Sequence, residues 1–292
     1  MTNVVMGQRI LVGVDGSRAS RRAVLWAAQE AQIRQGELVI THVDQPSPDA
    51  VGLWGEPLGS EAILAASATA ASQWAPSVTV GTLLLRGSIT DELIKLSASA
   101  CMLVVGVDPA KPRSAHGVLG PIEDRVAVHA ACPVVTVQVP PPRVRNPHPN
   151  VVVEWSDHQA GRRVLSTAAE EATARGASLT VVSVLTSDPG QPGGPARHDH
   201  SASHAQQAMS ESVASIEDEF PDLLVSVIQE PGDAVLTLMR HAHSAELLVV
   251  GCPQAEDRWS IRTGLVAGVL MRSSPCPVML VGEPAVHAAS AP

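Results

Sequence analysis

The strongest constraint on this chain is that it repeats itself. Residues 10–31, ILVGVDGSRASRRAVLWAAQEA, align without a gap with 151–172, VVVEWSDHQAGRRVLSTAAEEA, and each copy later runs through LVVG to a Cys-Pro. Self-similarity on this scale specifies two copies of one domain, and 292 residues hold two cores at roughly 100 to 200 residues each. The offset between copies is 141 at Arg22 and Arg163, 145 at Gly106 and Gly251, and 144 at Cys132 and Cys276. Two loops therefore absorb the length differences, one after the second strand of each copy and one after LVVG. A residue kept in one copy and lost in the other marks a departure that the scaffold tolerates.

Each copy opens with a β-branched run, RILVGV or NVVVEW, and turns into a long Ala-rich segment of helical periodicity. A second strand follows at 38–43 and 179–184, each after a Gly that can end the helix. Stretches rich in Pro, Gly and Ser at 44–59 and 185–203 read as surface loops. The rest reads helix (60–74; 203–219), strand (78–86; 223–230), helix (89–100; 233–244), strand (102–106; 246–251), then a loop, a helix and a last strand (133–138; 277–282). Strands alternating with helices need crossover connections, hence a parallel sheet covered on both faces, and near-continuous apolar strands fit such burial. The predicted fold is α/β: two tandem, doubly wound, mainly parallel five-stranded sheets, over 7–139 and 150–284. A Pro-rich linker at 140–149, within VPPPRVRNPHPN, joins them as a semi-rigid spacer.

Composition excludes several classes. A net charge of −9 opposes neutralisation of a phosphate backbone, so nucleic acid is not the expected partner. No run of 18 apolar residues is present, so no membrane span is expected. The start, MTNVVMGQRILVGVD, lacks the basic, apolar and small-residue pattern of a secretory leader, and a cytoplasmic location is expected. Cys101, Cys132, Cys252 and Cys276 form no CxxC pair and have no His at zinc spacing, so they read as structural thiols and no metal is predicted.

Open parallel sheets bind ligands beyond the carboxyl ends of their strands. In the first copy that rule selects Asp15, Gly16 and Ser17 after strand one, the residues after Val43, which ends strand two, and the loop from Gly106 to Gly120 after strand four. A glycine-bearing loop that leads into a helix start offers N–H groups and partial positive charge to a phosphate.

The order VGVDGS, Ala-rich helix, LVITHV, LVVG, loop and HAACPVVTV resembles the universal stress protein family in its tandem form, over about 270 residues. The resemblance implies an adenine nucleotide α-hydrolase-like fold and a cytoplasmic protein tied to stress or growth arrest. It also implies that the last strands of the two domains pair, 133–138 with 277–282, making an internal pseudo-dimer. ATP-binding members place a carboxylate after strand one and, after strand four, G-x-x-G, nine residues, then G-[ST].

Both copies depart from that pattern. The first keeps Asp15, Gly16, Ser17 and Gly106, but holds Pro109 at the second glycine, is one residue longer before Gly120, and has Pro121 at the Ser/Thr place. Proline has no N–H to offer, though it suits the first turn of a helix. The second copy keeps the spacing of Gly251 and Gly264, but Gln254 replaces the middle glycine and Leu265 the Ser/Thr. Glu154, Ser156 and Asp157 stand where the first copy has Gly13, Asp15 and Gly16. Each lost phosphate donor costs about 1 to 3 kcal/mol, and Lys111, Arg113, Arg258 and Arg262 are side-chain cations that can replace some of them. The expected ligand is ATP or a related adenine nucleotide, held in the first copy by Asp15, Gly16, Ser17, Val43, Gly106, Lys111 and Gly120. Asp157, Val184, Gly251 and Gly264 form the weaker counterpart.

Alternatives stay open. One is a ligand-free scaffold whose loops at 44–59 and 185–203 recognise an unidentified protein partner, with or without a homodimer. The other is a slow ATPase. No Ser/His/Asp order and no G-x-S-x-G elbow supports a turnover enzyme. His198, His200 and His204 read as surface histidines, Trp26 as core, Trp155 as part of its strand, and Trp259 as a cover over the second pocket.

Overall fold

In the computed structural model, which describes residues 8–44, 59–108, 121–138, 147–156, 159–185, 198–252 and 260–282, both halves lay down the same element order. The first runs β1 (Arg9–Gly13), α1 (Arg18–Ile33), β2 (Glu37–Val43), α2 (Ser60–Trp74), β3 (Thr79–Leu85), α3 (Ile89–Ser97), β4 (Met102–Gly106), α4 (Pro121–His129) and β5 (Val134–Val137). The second runs β6 (Asn150–Glu154), α5 (Gln159–Arg175), β7 (Ser178–Leu185), α6 (His198–Glu219), β8 (Val225–Pro231), α7 (Ala234–Ala242), β9 (Leu247–Gly251), α8 (Ser260–Ser273) and β10 (Val278–Val281).

The ten strands of the described residues form one sheet, ordered β3-β2-β1-β4-β5-β10-β9-β6-β7-β8. Pairing is parallel within each half, while β5 and β10 meet antiparallel with Val278 opposite Thr136, Met279 opposite Val135 and Leu280 opposite Val134. The two expected five-stranded sheets are thus halves of one, joined through the last strands. Those strands begin at Val134 and Val278 because Pro133 and Pro277 have no N–H; their carbonyls still accept from Leu103 and Leu248, both at 3.0 Å.

Side chains alternate across the sheet with the two-residue period of a strand. Ile10 and Val12 join one core with α1, α2, α5 and α6, which continues through Val135, Val137, Met279 and Val281 into the second half. Leu11 faces the opposite side with α3 and α4, and Val152 does so with α7 and α8. Ala127 of α4 packs into the second half's cluster. Trp26 is buried in the core on the α1 side, as its helical spacing predicts, and Trp155 is buried in the same cluster one residue beyond β6.

Element ends differ most from expectation in α6, α3 and α7. Helix α6 begins at His198, so the loop expected to reach 203 is shorter; no Gly or Pro interrupts His198–Glu219. His198, His200 and His204 therefore lie in its first two turns. Helices α3 and α7 end at Ser97 and Ala242, where the chain tightens into i→i−3 bonds, such as Ser99 N–H to Leu96 O at 2.9 Å.

Over the seam, α1 and α5 meet through four charged side chains. Arg34 bonds Glu171 across the two halves and approaches Glu30 at 3.6 Å; Arg175 reaches back to Glu30 at 2.7 Å and also bonds Glu171. Glu30, Glu171 and Arg175 are almost fully buried. Burial lifts the Glu30 carboxyl above its ordinary range against the pull of Arg175. Burial acts on Glu171 too, but the guanidinium groups of Arg175 and Arg34 outweigh it and hold that carboxyl below its ordinary range. Both arginines sit 141 residues apart, as do both glutamates, so the quartet obeys the repeat. On the other face of the seam, the Gln138 amide donates to Met271 O and, at 3.0 Å, to Thr136 Oγ1.

The ends of α1 and α5 show one conformation made by two residue types. Gln35 has φ 52° and Gly176 φ 60°. Gly36 N–H bonds Ala31 O and Ala177 N–H bonds Ala172 O, each at 2.8 Å, so both helices close in the same left-handed cap. A side chain in that region is strained. Replacing Gln35 by Gly is expected to raise the unfolding free energy by about 0.5 to 1 kcal/mol in urea denaturation, after allowing for the freer unfolded glycine. An unchanged or lower midpoint would show that Gln35 carries no strain.

Candidate functional site

The order of strands reverses between β1 and β4 in the first half, and between β6 and β9 in the second. At such a switch point the flanking helices lie on opposite faces, and the carboxyl ends of the strands border a crevice. Register decides which residues meet there. Gly13 pairs with Thr41 of β2 and with Val105 of β4, so Asp15, Val43 and Val107 each lie two residues beyond a paired position at the same end of the sheet. Three segments distant in sequence thus converge at one edge.

Asp15, Gly16 and Ser17 form the turn into α1. Gly16 takes φ 81°, which a side chain disfavours. The Asp15 carboxylate accepts the Ser17 N–H at 2.9 Å, and Ser17 Oγ accepts the Ser20 N–H at 3.2 Å, so the turn is pinned from both ends. All three residues are half-buried. Val43 is buried at the end of β2.

Gly106 has a packing reason that spacing alone does not show. A Cβ there would lie 2.2 Å from Ala19 O and 2.6 Å from Ser20 N, because β4 runs directly under the first turn of α1. In the second half a Cβ on Gly251 would meet only Val164 Cγ2, at 3.5 Å. The same letter serves a close backbone approach in one copy and an ordinary contact in the other. Lys111 and Gly120 lie outside the described residues, as do Pro109 and Arg113; α4 starts at Pro121, next to Gly120 as expected.

Two residues near this edge carried no motif. His42, buried at 3% exposure, donates from Nδ1 to Val14 O at 2.7 Å, a bond that requires its proton on Nδ1 and ties β2 to the residue before Asp15. Its counterpart in the repeat is Ser183, so the signal was a buried polar residue within an apolar strand. Arg22 of α1 donates from Nη2 to Val107 O at 3.2 Å, where β4 leaves the sheet.

The second crevice is built differently. Glu154 takes the place of Gly13, and burial pushes its carboxyl up to about 7. The Ser156 carbonyl lies where a Cβ on Gly161 would be, 2.1 Å from it, so the β6–α5 turn packs its backbone onto the helix. Val184 is half-buried at the end of β7, and Gly251 ends β9. Gly264 falls in the second turn of α8, which begins at Ser260, so its N–H belongs to the helix ladder and is no free donor at a helix start. Asp157, Gln254, Arg258 and Trp259 lie outside the described residues.

All four cysteines are free. Burial pushes the Cys132 thiol up to about 12 and that of Cys276 up to about 11, so neither is a thiolate at neutral pH. Among the described residues no group of three or more His, Cys, Asp or Glu side chains is placed to hold a metal ion, and no helix is long and apolar enough to cross a membrane.

Comparison with known proteins agrees with this architecture. The model of the universal stress protein family matches twice, over residues 6–138 and 149–282. The universal stress protein Rv2005c of Mycobacterium tuberculosis is 26% identical, over 94% of this chain and 97% of its own. A solved universal stress protein of Archaeoglobus fulgidus superposes with a TM-score of 0.66 at 16% identity, covering 95% of this chain and 97% of that one. A universal stress protein solved in complex with cAMP is 27% identical over 45% of this chain and 96% of its own, with a TM-score of 0.36. With a family match on each half of the repeat, the chain belongs to the universal stress protein family in its tandem two-domain form.

Proposed function

We propose that this protein is a cytoplasmic regulatory binding protein of the stress response, whose first half holds ATP or a related adenine nucleotide and whose second pocket is degenerate. The observation that carries the reading is the convergence of Asp15, Val43 and the Gly106–Val107 step at the first switch point. There a carboxylate suits a ribose hydroxyl and a buried Val43 suits a base. In the second half Gly264 is drawn into α8 and offers no free N–H to a phosphate. Four free cysteines suit a reducing compartment.

The test is a calorimetric titration with ATP. Wild type is expected to bind with a Kd below millimolar, and Asp15→Ala to weaken binding at least about tenfold, the loss of a charge-assisted hydrogen bond. Because the Asp15 side chain also caps its turn, Asp15→Asn is the partner variant: it retains the bond from Ser17 N–H and removes the charge. Absence of binding in wild type would leave the scaffold reading in its place.

A further inference from the structure

We infer that Arg22 is the cation that holds the phosphates of a nucleotide in the first crevice, replacing the glycine and hydroxyl donors missing from the loop after β4; this rests on the nucleotide reading above. Arg34 and Arg175, at the ends of α1 and α5, each meet two carboxylates. Arg22 is half-buried and pairs with none among the described residues; its one bond is from Nη2 to Val107 O, 3.2 Å away. Its Nε is buried with no acceptor among the described residues. A guanidinium has five N–H donors in a fixed fork, and a buried donor of a charged group left without an acceptor is costly.

Position says what would satisfy it. Val107, like Asp15, lies two residues beyond the Gly13–Val105 pair, so the guanidinium is anchored at the sheet edge that Asp15 borders. The contact is set by Gly106, whose missing side chain lets β4 approach the first turn of α1, one turn before Arg22. An anion entering between β1 and β4 meets a planar cation with most of its donors unspent, and the fork matches two phosphate oxygens at once. By sequence the loop that follows offers Pro109 and Pro121 where glycine and a hydroxyl would serve phosphate, so a side-chain donor is what this site needs. Among the described residues the second half shows no equivalent, since Arg163, the repeat counterpart, is exposed.

The full chain is titrated with ATP, adenosine and inorganic tripolyphosphate, as wild type and as Arg22→Gln, Arg22→Lys and Arg163→Gln, with melting temperatures recorded for each. Arg22→Gln is expected to weaken ATP and tripolyphosphate at least about tenfold and leave adenosine unchanged; Arg22→Lys recovers part of the loss, and Arg163→Gln changes none of the three. Equal losses for adenosine and ATP would show that Arg22 only shapes the crevice, and an unchanged ATP affinity would remove it from the site; either result overturns the inference. Should adenosine fail to bind while tripolyphosphate binds through Arg22, the nucleotide reading falls and the anion site stands. Should wild type bind neither ATP nor tripolyphosphate, both fall.

Discussion

Arg175→Ala is expected to lower the unfolding free energy by about 3 to 5 kcal/mol, the cost of leaving buried charge without its partner. Removing that guanidinium strips Glu30 of its nearest cation, 2.7 Å away, and Glu171 of one of two, with both carboxylates almost fully out of water. Against a typical total of about 5 to 15 kcal/mol this is a large share, and it falls on the seam between the halves. Urea denaturation should show a lower midpoint and a transition broadened or split as the halves lose their common lock. Replacing all four members together, with Glu30 and Glu171 as Leu and Arg34 and Arg175 as Met, should cost far less than the single change, since no charge is stranded. If Arg175→Ala costs under about 1 kcal/mol, the quartet does not bind the halves together.

Gly106→Ala is expected to destabilise by about 3 kcal/mol, at the upper end for an added buried methyl group. The contacts at 2.2 and 2.6 Å are with the α1 backbone, which cannot rotate away as a side chain does. The helix start must lift, and with it the turn of Asp15, so nucleotide affinity should fall alongside stability. Gly251→Ala is the internal control, with one ordinary contact at 3.5 Å, and should stay within about 1 kcal/mol of wild type. Equal effects at the two positions would mean that close helix–strand approach is not what requires a glycine at 106.

Much of the scaffold was legible because it depends on local periodicity and on the repeat. Element order, the two parallel half-sheets and the meeting of the last strands follow from alternating apolar runs and from family resemblance, and β5 opposite β10 agrees. Ends were less legible: nothing in HDHSAS distinguishes a loop from the first turns of α6. At the site, Asp15 and Val43 were found because both lie at strand ends, where the open-sheet rule looks. Arg22 was passed over although it anchored the alignment of the two copies, since a polar residue on an amphipathic helix reads as solvated until the strand beneath it is known. Glu30, Arg34, Glu171 and Arg175 share the repeat offset and were equally visible, but an i, i+4 pair on one helix looks like a surface pair.

The sequence by itself determined what each half folds into, because strand and helix periods, prolines at strand starts and a duplicated pattern act within short stretches of chain. Only the tertiary structure decided what equivalent letters do. Gly106 and Gly251 occupy the same place in the repeat, yet one lies under the backbone of α1 and the other does not. Glu30 and Glu171 are related in the same way, yet burial prevails at one carboxyl and two guanidinium groups at the other. The reason is that close approach and burial are set by elements far apart in the chain, whose spacing no local pattern encodes.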